Sequence, residues 1–231
     1  MEDKFTRLEE LIGKDNLNQL AKKTIMIIGL GGVGSYAVEG LVRSNITKFI
    51  IVDNDVVSPS NINRQIIATE KTIGLKKVNV ICNRIKEINN QAQVIKIDKF
   101  IDENNIDELF KYHIDYLIDA CDTFNTKCLL IDRCLKNNVK FISSMGTANK
   151  FNPSLLEITD IRKTINDPLA RKLRKYVKDQ NIKSKITVLS SKEVPIKTKD
   201  NVLGSTAFVP SSAGLLIGNY IVQDLIKEEM I

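Results

Sequence analysis

The sequence is poor in the residues on which several kinds of site depend. It has one histidine, His113, which we expect on the surface or in packing, so the chemistry has to proceed without a histidine general base. Its four cysteines are Cys82, Cys121, Cys128 and Cys134. No two of them form a CxxC pair, which argues against a structural zinc site and against a redox dithiol. We therefore expect reduced thiols and no zinc.

Long hydrophobic runs and linkers are also missing. The longest late apolar stretch, residues 213–222, is interrupted by Asn219 and is too short to span a bilayer. The first four residues contain no apolar core of a signal peptide. Since no internal repeat, low-complexity tract or Pro/Gly/Ser-rich linker divides the chain, we expect one cytoplasmic domain with no membrane span. A length of 231 residues with 43% hydrophobic residues fits one α/β domain with a full core.

A glycine turn is the most informative feature that is present. The apolar segment 25–28 runs into Gly29, Gly31, Gly32 and Gly34, and an apolar helical pattern follows. A strand, a glycine turn and a helix N-terminus together present backbone N–H groups to a phosphate. Asp53, roughly 20 positions later, lies where such folds bind a ribose hydroxyl. This pattern fits NAD, FAD or ATP equally well.

Strand-like and helix-like segments alternate along the chain. Strands are predicted at 24–29, 49–52, 94–97, 116–119 and 140–144, with a leading helix from Phe5 to Leu20 and helices between the strands. The alternation predicts a Rossmann-like, doubly wound α/β fold with a mostly parallel sheet and helices on both faces. Ligands of such sheets bind at the carboxyl ends of the strands, where Asp53 and residues 119–122 fall.

The second half has a different pattern. It predicts strands at 155–159, 186–189 and 193–196, a basic helix that begins at Asp167-Pro168, and a final helix from Ser211. We interpret residues 1–146 as a nucleotide-binding core and residues 147–231 as the substrate-binding half that completes the sheet of the same domain.

Polar residues that follow the second and fourth strands favour a triphosphate over a dinucleotide. They are Asp55, Asn61, Asn63, Arg64, Lys77 and Asp122. Cleavage between the α and β phosphates develops charge that Arg, Lys and Mg²⁺ stabilise. Arg64 offers a planar fork, Lys77 a point charge and Asp122 an oxygen ligand for magnesium. Each of these residues alone also has an ordinary structural explanation.

Together, these motifs resemble the adenylating enzymes related to ubiquitin-activating enzyme, the ThiF/MoeB/HesA superfamily. The resemblance rests on the glycine turn, Asp53, Asp55, the run Ser60-Asn61-Ile62-Asn63-Arg64-Gln65, Gly74 with Lys77, and Asp119-Ala120-Cys121-Asp122. It implies ATP as cosubstrate, with Asp53 on the ribose, Gly32 near the phosphates, Asn61, Arg64 and Lys77 on the triphosphate, and Asp122 on Mg²⁺. It also implies a homodimer in which Arg7 reaches the nucleotide of the neighbouring subunit.

Two later segments indicate the branch of the superfamily. Residues 158–174 and 204–210 resemble the corresponding parts of bacterial tRNA threonylcarbamoyladenosine dehydratases. That resemblance implies ATP-dependent cyclisation of the threonylcarbamoyl group at tRNA position 37 through an acyl-adenylate. A sulfur-relay or cysteine desulfurase partner is left open.

A basic segment supports a tRNA partner. The formal net charge of +6 permits an anionic partner without requiring one. The basic residues predicted to contact tRNA are Arg162, Lys163, Arg171, Arg174, Lys175 and Lys178. The last four recur at three- and four-residue spacing, which predicts one charged helix face. The alternative for this face is simple solvation.

Three other hypotheses compete. The protein could adenylate the C-terminus of a small ubiquitin-like sulfur carrier, or it could be a nicotinamide-dependent oxidoreductase, which the glycine turn alone permits. Cys121 could be a thioester nucleophile, as in some relatives of ubiquitin-activating enzyme. Its place at the buried end of an apolar strand beside an acid argues against that role.

Overall fold

The computed structural model describes residues 3–199 and 202–227, in which one seven-stranded sheet carries helices on both faces. The strands are β1 (Thr24–Ile28), β2 (Lys48–Val52), β3 (Gln93–Ile97), β4 (Tyr116–Asp119), β5 (Lys140–Ser144), β6 (Leu156–Asp160) and β7 (Thr187–Ser191). The helices are α1 (Thr6–Ile12), α2 (Lys14–Leu20), α3 (Gly34–Arg43), α4 (Lys77–Ile88), α5 (Ile106–Leu109), α6 (Phe124–Lys136), α7 (Pro168–Asp179) and α8 (Phe208–Lys227).

The strand order is β3-β2-β1-β4-β5-β7-β6, and every pairing is parallel except that of β6 with β7. The predicted Rossmann-like α/β fold is confirmed. Strands β2 and β3 lie on one side of β1, and β4 lies on its other side, so the strand order reverses at β1. The crevice at such a reversal is where open α/β sheets bind ligands.

Alternation along β1 explains why both faces of the sheet are covered. Ile25 and Ile27 pack in the large apolar cluster formed with α3, α4 and α8. Met26 and Ile28 point to the opposite face, where they pack with residues of α5 and α6. Helices α3 and α8 approach closely, since a Cβ added to Gly214 of α8 would lie 2.3 Å from the carbonyl oxygen of Val33.

Three sequence predictions about secondary structure were wrong in detail. The predicted leading helix is two helices, because Gly13 between them has a φ of 83°. The predicted strand at 193–196 is an irregular segment, whose Ile196 N–H donates to the Asn149 carbonyl instead of joining the sheet. The final helix begins at Phe208, three residues before Ser211.

Left-handed backbone conformations are taken mostly by asparagine. The described residues include five asparagines with φ between 52° and 62°, namely Asn45, Asn138, Asn149, Asn166 and Asn181. Three of them, Asn45, Asn138 and Asn181, directly follow the C-cap residues of α3, α6 and α7. Asparagine is the side chain that best tolerates this conformation after glycine.

Within residues 3–199 and 202–227, no helix is both long enough and apolar enough to cross a membrane.

Candidate active site

A cavity of about 840 Å³ opens at the carboxyl ends of the central strands. The glycine turn after β1, Asp53 after β2, residues 120–123 after β4 and residues 144–150 after β5 all line it. The start of α7 and the segment 203–205 close its other side. The topology thus brings the predicted nucleotide residues and the second half of the chain to one site.

The glycine turn is tightly packed at Gly29 and Gly34 and open at Gly31. A Cβ added to Gly29, whose φ is 88°, would lie 2.7 Å from the Ala120 carbonyl group, and one added to Gly34 would lie 1.8 Å from the Gly29 carbonyl oxygen. At Gly31 the nearest atom to an added Cβ would be Nε2 of Gln65 at 3.7 Å. Packing therefore requires glycine at 29 and 34, whereas Gly31 leaves the room that a phosphate needs for close approach to the backbone.

Asp53 orders the backbone that follows β1 and the backbone that follows β2. Its Oδ2 accepts a 2.7 Å hydrogen bond from the Leu30 N–H, and its Oδ1 accepts a 2.8 Å bond from the Asp55 N–H. The carboxylate is half-buried and lines the cavity. It therefore has a fixed orientation, with lone pairs left for a ribose hydroxyl.

The long connection after β2 is ordered by its own hydrogen bonds. The Asn61 side chain accepts from the Ser58 N–H at the start of a 3₁₀ turn (Pro59–Asn61), and Gly74 donates its N–H to the Val57 carbonyl. Arg64 Nη1 donates to the Ser60 carbonyl at 2.8 Å and to Asn63 Oδ1 at 2.9 Å. These two bonds hold Arg64 at the cavity and leave Nε and Nη2 for a ligand.

Two buried polar side chains face the same cavity from this connection. Lys77 is buried, and its Nζ lies 2.7 Å from Oδ2 of the exposed Asp55. Gln65 is 6% exposed, and its Oε1 has no hydrogen-bond partner among the described residues. A buried amide oxygen without a partner is unusual in a folded protein, so Gln65 fits a site whose ligand supplies the donor.

Two acids at the end of β4 differ in burial: Asp119 is buried and Asp122 is exposed. Asp119 is 1% exposed and accepts hydrogen bonds from Lys127, Ser143 and Cys121. Asp122, three residues later, is exposed and lines the cavity. Asp122 is therefore the carboxylate at this strand end that a metal ion could reach.

Cys121 does not have the properties of a nucleophile. Burial, and next the negative charge of Asp119, raise the pKa of its thiol well above the ordinary value. Its Sγ lies 3.0 Å from Asp119 Oδ1 as a donor. Cys128 is no more reactive, since burial raises the pKa of its thiol to about 12. Reactive cysteines have the opposite surroundings, because the thiolate is the nucleophile.

A second buried ion pair lines the far side of the cavity. Lys150 Nζ lies 3.0 Å from Asp167 Oδ2, and both side chains are 1% exposed. Lys150 also donates to the Gly146 carbonyl at 2.8 Å, and Asp167 Oδ1 accepts from the Ala170 N–H at 2.7 Å as the N-cap of α7. The pair thus connects the loop after β5 to the first turn of the basic helix.

Comparison with known proteins identifies the family of this chain. The family model of the ThiF family matches residues 5–226. The chain belongs to the ThiF family. The tRNA threonylcarbamoyladenosine dehydratase of Bacillus subtilis is 39% identical over 97% of this ThiF-family chain and 95% of its own length.

Solved structures resemble the chain over almost all of its length. The Escherichia coli tRNA N6-threonylcarbamoyladenosine dehydratase TcdA in complex with AMP superimposes with a TM-score of 0.93 at 30% identity. The alignment covers 98% of this ThiF-family chain and 95% of TcdA. A second TcdA structure, in complex with ATP, has a TM-score of 0.92 with the same identity and coverage.

Most of the predicted nucleotide residues of this ThiF-family chain line the cavity, and four do not. Those that do are Gly29, Gly31, Gly32, Asp53, Asp55, Asn61, Arg64, Gln65, Lys77 and Asp122. Gly34 is buried in packing beneath the turn. Ser60 and Asn63 are exposed and orient Arg64, and Asn63 also donates to the Ser205 carbonyl. Arg7 is exposed on α1 outside the cavity.

The basic segment is less uniform than its spacing predicts. Arg171, Lys175 and Lys178 are exposed on α7. Arg174, predicted on the same face, donates from Nη1 to the carbonyl and the hydroxyl of Thr164. Outside α7, Lys163 is exposed, whereas Arg162 pairs with Asp160 and also donates to the carbonyls of Ile182 and Ser184. Arg162 and Arg174 therefore stabilise the basic segment through hydrogen bonds within it. The four side chains that stay accessible to a partner are those of Lys163, Arg171, Lys175 and Lys178.

Sequence reasoning missed Lys127 and Lys150. Neither lysine belongs to a motif with the acid it pairs with, and Lys150 and Asp167 are 17 positions apart. The one available signal was Asp167-Pro168, which predicts a helix start but not a site.

Proposed function

We propose that this ThiF-family protein is an ATP-dependent tRNA threonylcarbamoyladenosine dehydratase. The observation that supports this most directly is the shared cavity. Its walls are the glycine turn with Arg64, Lys77 and Asp122 on one side, and the start of the basic helix α7 on the other. Relatives with that activity match over nearly the whole chain, including the second half.

In the first step, the threonyl carboxylate of the modified adenosine attacks the α phosphate of ATP. An acyl-adenylate forms and pyrophosphate leaves. A carboxylate is ionised at neutral pH and needs no base, so positioning and neutralisation of charge are sufficient. Arg64 and Lys77 supply positive charge for the triphosphate.

The nucleotide is held by the residues around the glycine turn. Asp53 binds the ribose, Gly31 and Gly32 offer their backbone to the phosphates, and Gln65 accepts a hydrogen bond from the ligand. Asp122 fits Mg²⁺, since this ion takes one or two carboxylates and completes its shell with phosphate oxygens and water. When bound, Mg²⁺ would neutralise charge on the phosphates.

The tRNA lies against α7, where Arg171, Lys175 and Lys178 contact phosphates together with Lys163. In the second step, an atom of the carbamoyl unit attacks the acyl carbon, a ring closes and AMP leaves. We further infer a cytoplasmic homodimer in which Arg7 approaches the nucleotide of the partner subunit. A sulfur-relay or cysteine desulfurase partner and the absence of zinc stay predictions.

The decisive experiment is mass spectrometry of nucleosides from tRNA that carries threonylcarbamoyladenosine. The tRNA is incubated with the purified protein, Mg²⁺ and ATP. The expected result is a loss of about 18 Da from that nucleoside, the mass of one water, because acyl activation and ring closure together remove it. No mass change, with AMP formed only after addition of a ubiquitin-like sulfur carrier, would assign the protein to that branch instead.

A matched pair of variants tests the residues. We expect Asp122→Ala to abolish the mass change while Asp98→Ala, which removes an exposed acid outside the cavity, leaves it intact. Equal activity in both variants would contradict the assigned metal ligand.

A further inference from the structure

The second step of the proposed reaction has a requirement that the first step lacks. When the carbamoyl unit closes on the acyl-adenylate, an N–H proton of that unit has to be lost. A proton acceptor positioned within hydrogen-bond reach accelerates such a step. The chain's histidine cannot serve, since His113 is 82% exposed and lies outside the cavity.

Four carboxylates line the cavity within the described residues, and three of them lie at its nucleotide end. Asp53 is bonded to two backbone N–H groups of the nucleotide turn, and Asp55 is paired with Lys77. Asp122 is the exposed acid that we assign to Mg²⁺. The Cys121 thiol is protonated and donates to Asp119, so it cannot accept a proton. Asp167 is left.

Asp167 is placed on the side of the cavity where the tRNA would enter. It begins α7, the helix whose exposed basic residues would contact tRNA, and it lines the cavity beside Gly146 and Lys150. A Cβ added to Gly146 would lie 3.0 Å from Asp167 Oδ2. Glycine at 146 therefore allows the carboxylate to lie close to the backbone of this loop.

Two contacts hold Asp167 in one orientation. Oδ1 accepts from the Ala170 N–H, and Oδ2 accepts from Lys150, whose ammonium is fixed in turn by the Gly146 carbonyl. An N-cap requires one oxygen acceptor, and Asn, Ser or Thr can supply it. The helix alone thus explains neither the negative charge nor the buried lysine that accompanies it.

We propose that Asp167, oriented by Lys150, is the proton acceptor of ring closure. This inference rests on the proposed dehydratase function. The bond that forms joins the acyl carbon to a nitrogen or the oxygen of the carbamoyl unit. The bond that breaks joins that carbon to the phosphate oxygen of AMP, which leaves with the electron pair. The N–H proton passes to an Asp167 carboxylate oxygen and from there to solvent. Lys150 is a positioning residue that holds the carboxylate in its orientation.

The test uses Asp167→Asn, because asparagine preserves the N-cap and nearly the same volume. Adenylation is measured as tRNA-dependent exchange of pyrophosphate into ATP, and ring closure as the single-turnover loss of water from the nucleoside. We expect exchange within about threefold of wild type and ring closure at least about 100-fold slower, since general base catalysis is worth roughly 10²–10⁴-fold. The residual rate should rise with pH as hydroxide replaces the carboxylate.

A double variant and a control keep the result interpretable. Lys150→Met with Asp167→Asn removes the buried positive charge as well, and should show the same selective loss of ring closure if the single variant folds poorly. The control is Asp160→Asn, which changes another helix-capping acid paired with a cation, outside the cavity, and should keep both steps. The proposal would be overturned if the double variant closed the ring at the wild-type rate. It would also be overturned if the rates of adenylation and ring closure fell equally in that variant. Failure of the wild-type protein to remove water would instead refute the dehydratase function.

Discussion

Removal of the Lys127 ammonium tests how the end of β4 is held. Lys127 has a side-chain exposure of 0%, and its Nζ lies 3.0 Å from both oxygens of Asp119, 3.2 Å from Ser143 Oγ and 2.8 Å from the Ser144 carbonyl. One buried cation thus joins α6 to the ends of β4 and β5. In Lys127→Met, the Asp119 carboxylate would stay buried without its counter-ion.

The expected cost follows from that burial. Loss of one partner from a buried ion pair lowers the free energy of unfolding by roughly 3–5 kcal/mol. For a chain of this size, each kcal/mol moves the melting temperature by about 2–4 °C. Lys127→Met should therefore melt roughly 6–20 °C below wild type. Addition of Asp119→Asn should restore part of the loss, because the remaining buried charge is then removed.

Urea unfolding followed by circular dichroism gives the free energy of unfolding for each variant. The matched control is Lys76→Met, since Lys76 forms a 3.1 Å ion pair with Asp98 at side-chain exposures of 43% and 42%. Exposed pairs contribute at most about 1 kcal/mol. If Lys127→Met costs no more than this control, or if the double variant is less stable than the two single losses combined, the proposed electrostatic role of Lys127 is wrong.

Three further outcomes are expected. Arg64→Ala should reduce pyrophosphate exchange by roughly 10²–10³-fold with an unchanged melting temperature, as is typical when one group that stabilises developing charge is lost. Changing Arg171, Lys175 and Lys178 together to Glu should weaken tRNA binding and make the slope of log affinity against log salt shallower by about two to three units. ATP affinity should stay the same, and an unchanged salt slope would identify this face as merely solvated. Cys121→Ala should keep full turnover, and the wild-type thiol should resist iodoacetamide at neutral pH, because burial raises its pKa; inactivation by the reagent at Cys121 would refute this.

The sequence was sufficient for the fold, and for a set of predicted nucleotide residues most of which line one cavity, because these depend on local patterns. Apolar segments such as 25–28 and 49–52 end at a glycine turn or an acid, and parallel strands bring such ends together. The helix start at Asp167-Pro168 was also predicted correctly, since N-capping is decided within four residues.

The features that escaped prediction depend on distant partners. Lys150 has significance only beside Asp167, and Arg174 leaves the charged face because the Thr164 oxygens lie within its reach. The segment 193–196 has strand-like residues, but its hydrogen bonds go to the loop at Asn149. Spacing along the chain contains no information about these pairings, which the tertiary fold decides.

The division between asparagine and glycine has a consequence for engineering. In proteins generally, glycine is needed for two separate reasons: it adopts positive φ angles easily, and it has no side chain. Here asparagine supplies left-handed residues after α3, α6 and α7, whereas Gly34 and Gly214 stand where a Cβ would collide with backbone atoms. Mutational scanning should therefore find the asparagines after these helices replaceable by glycine, and Gly34 and Gly214 intolerant even of alanine.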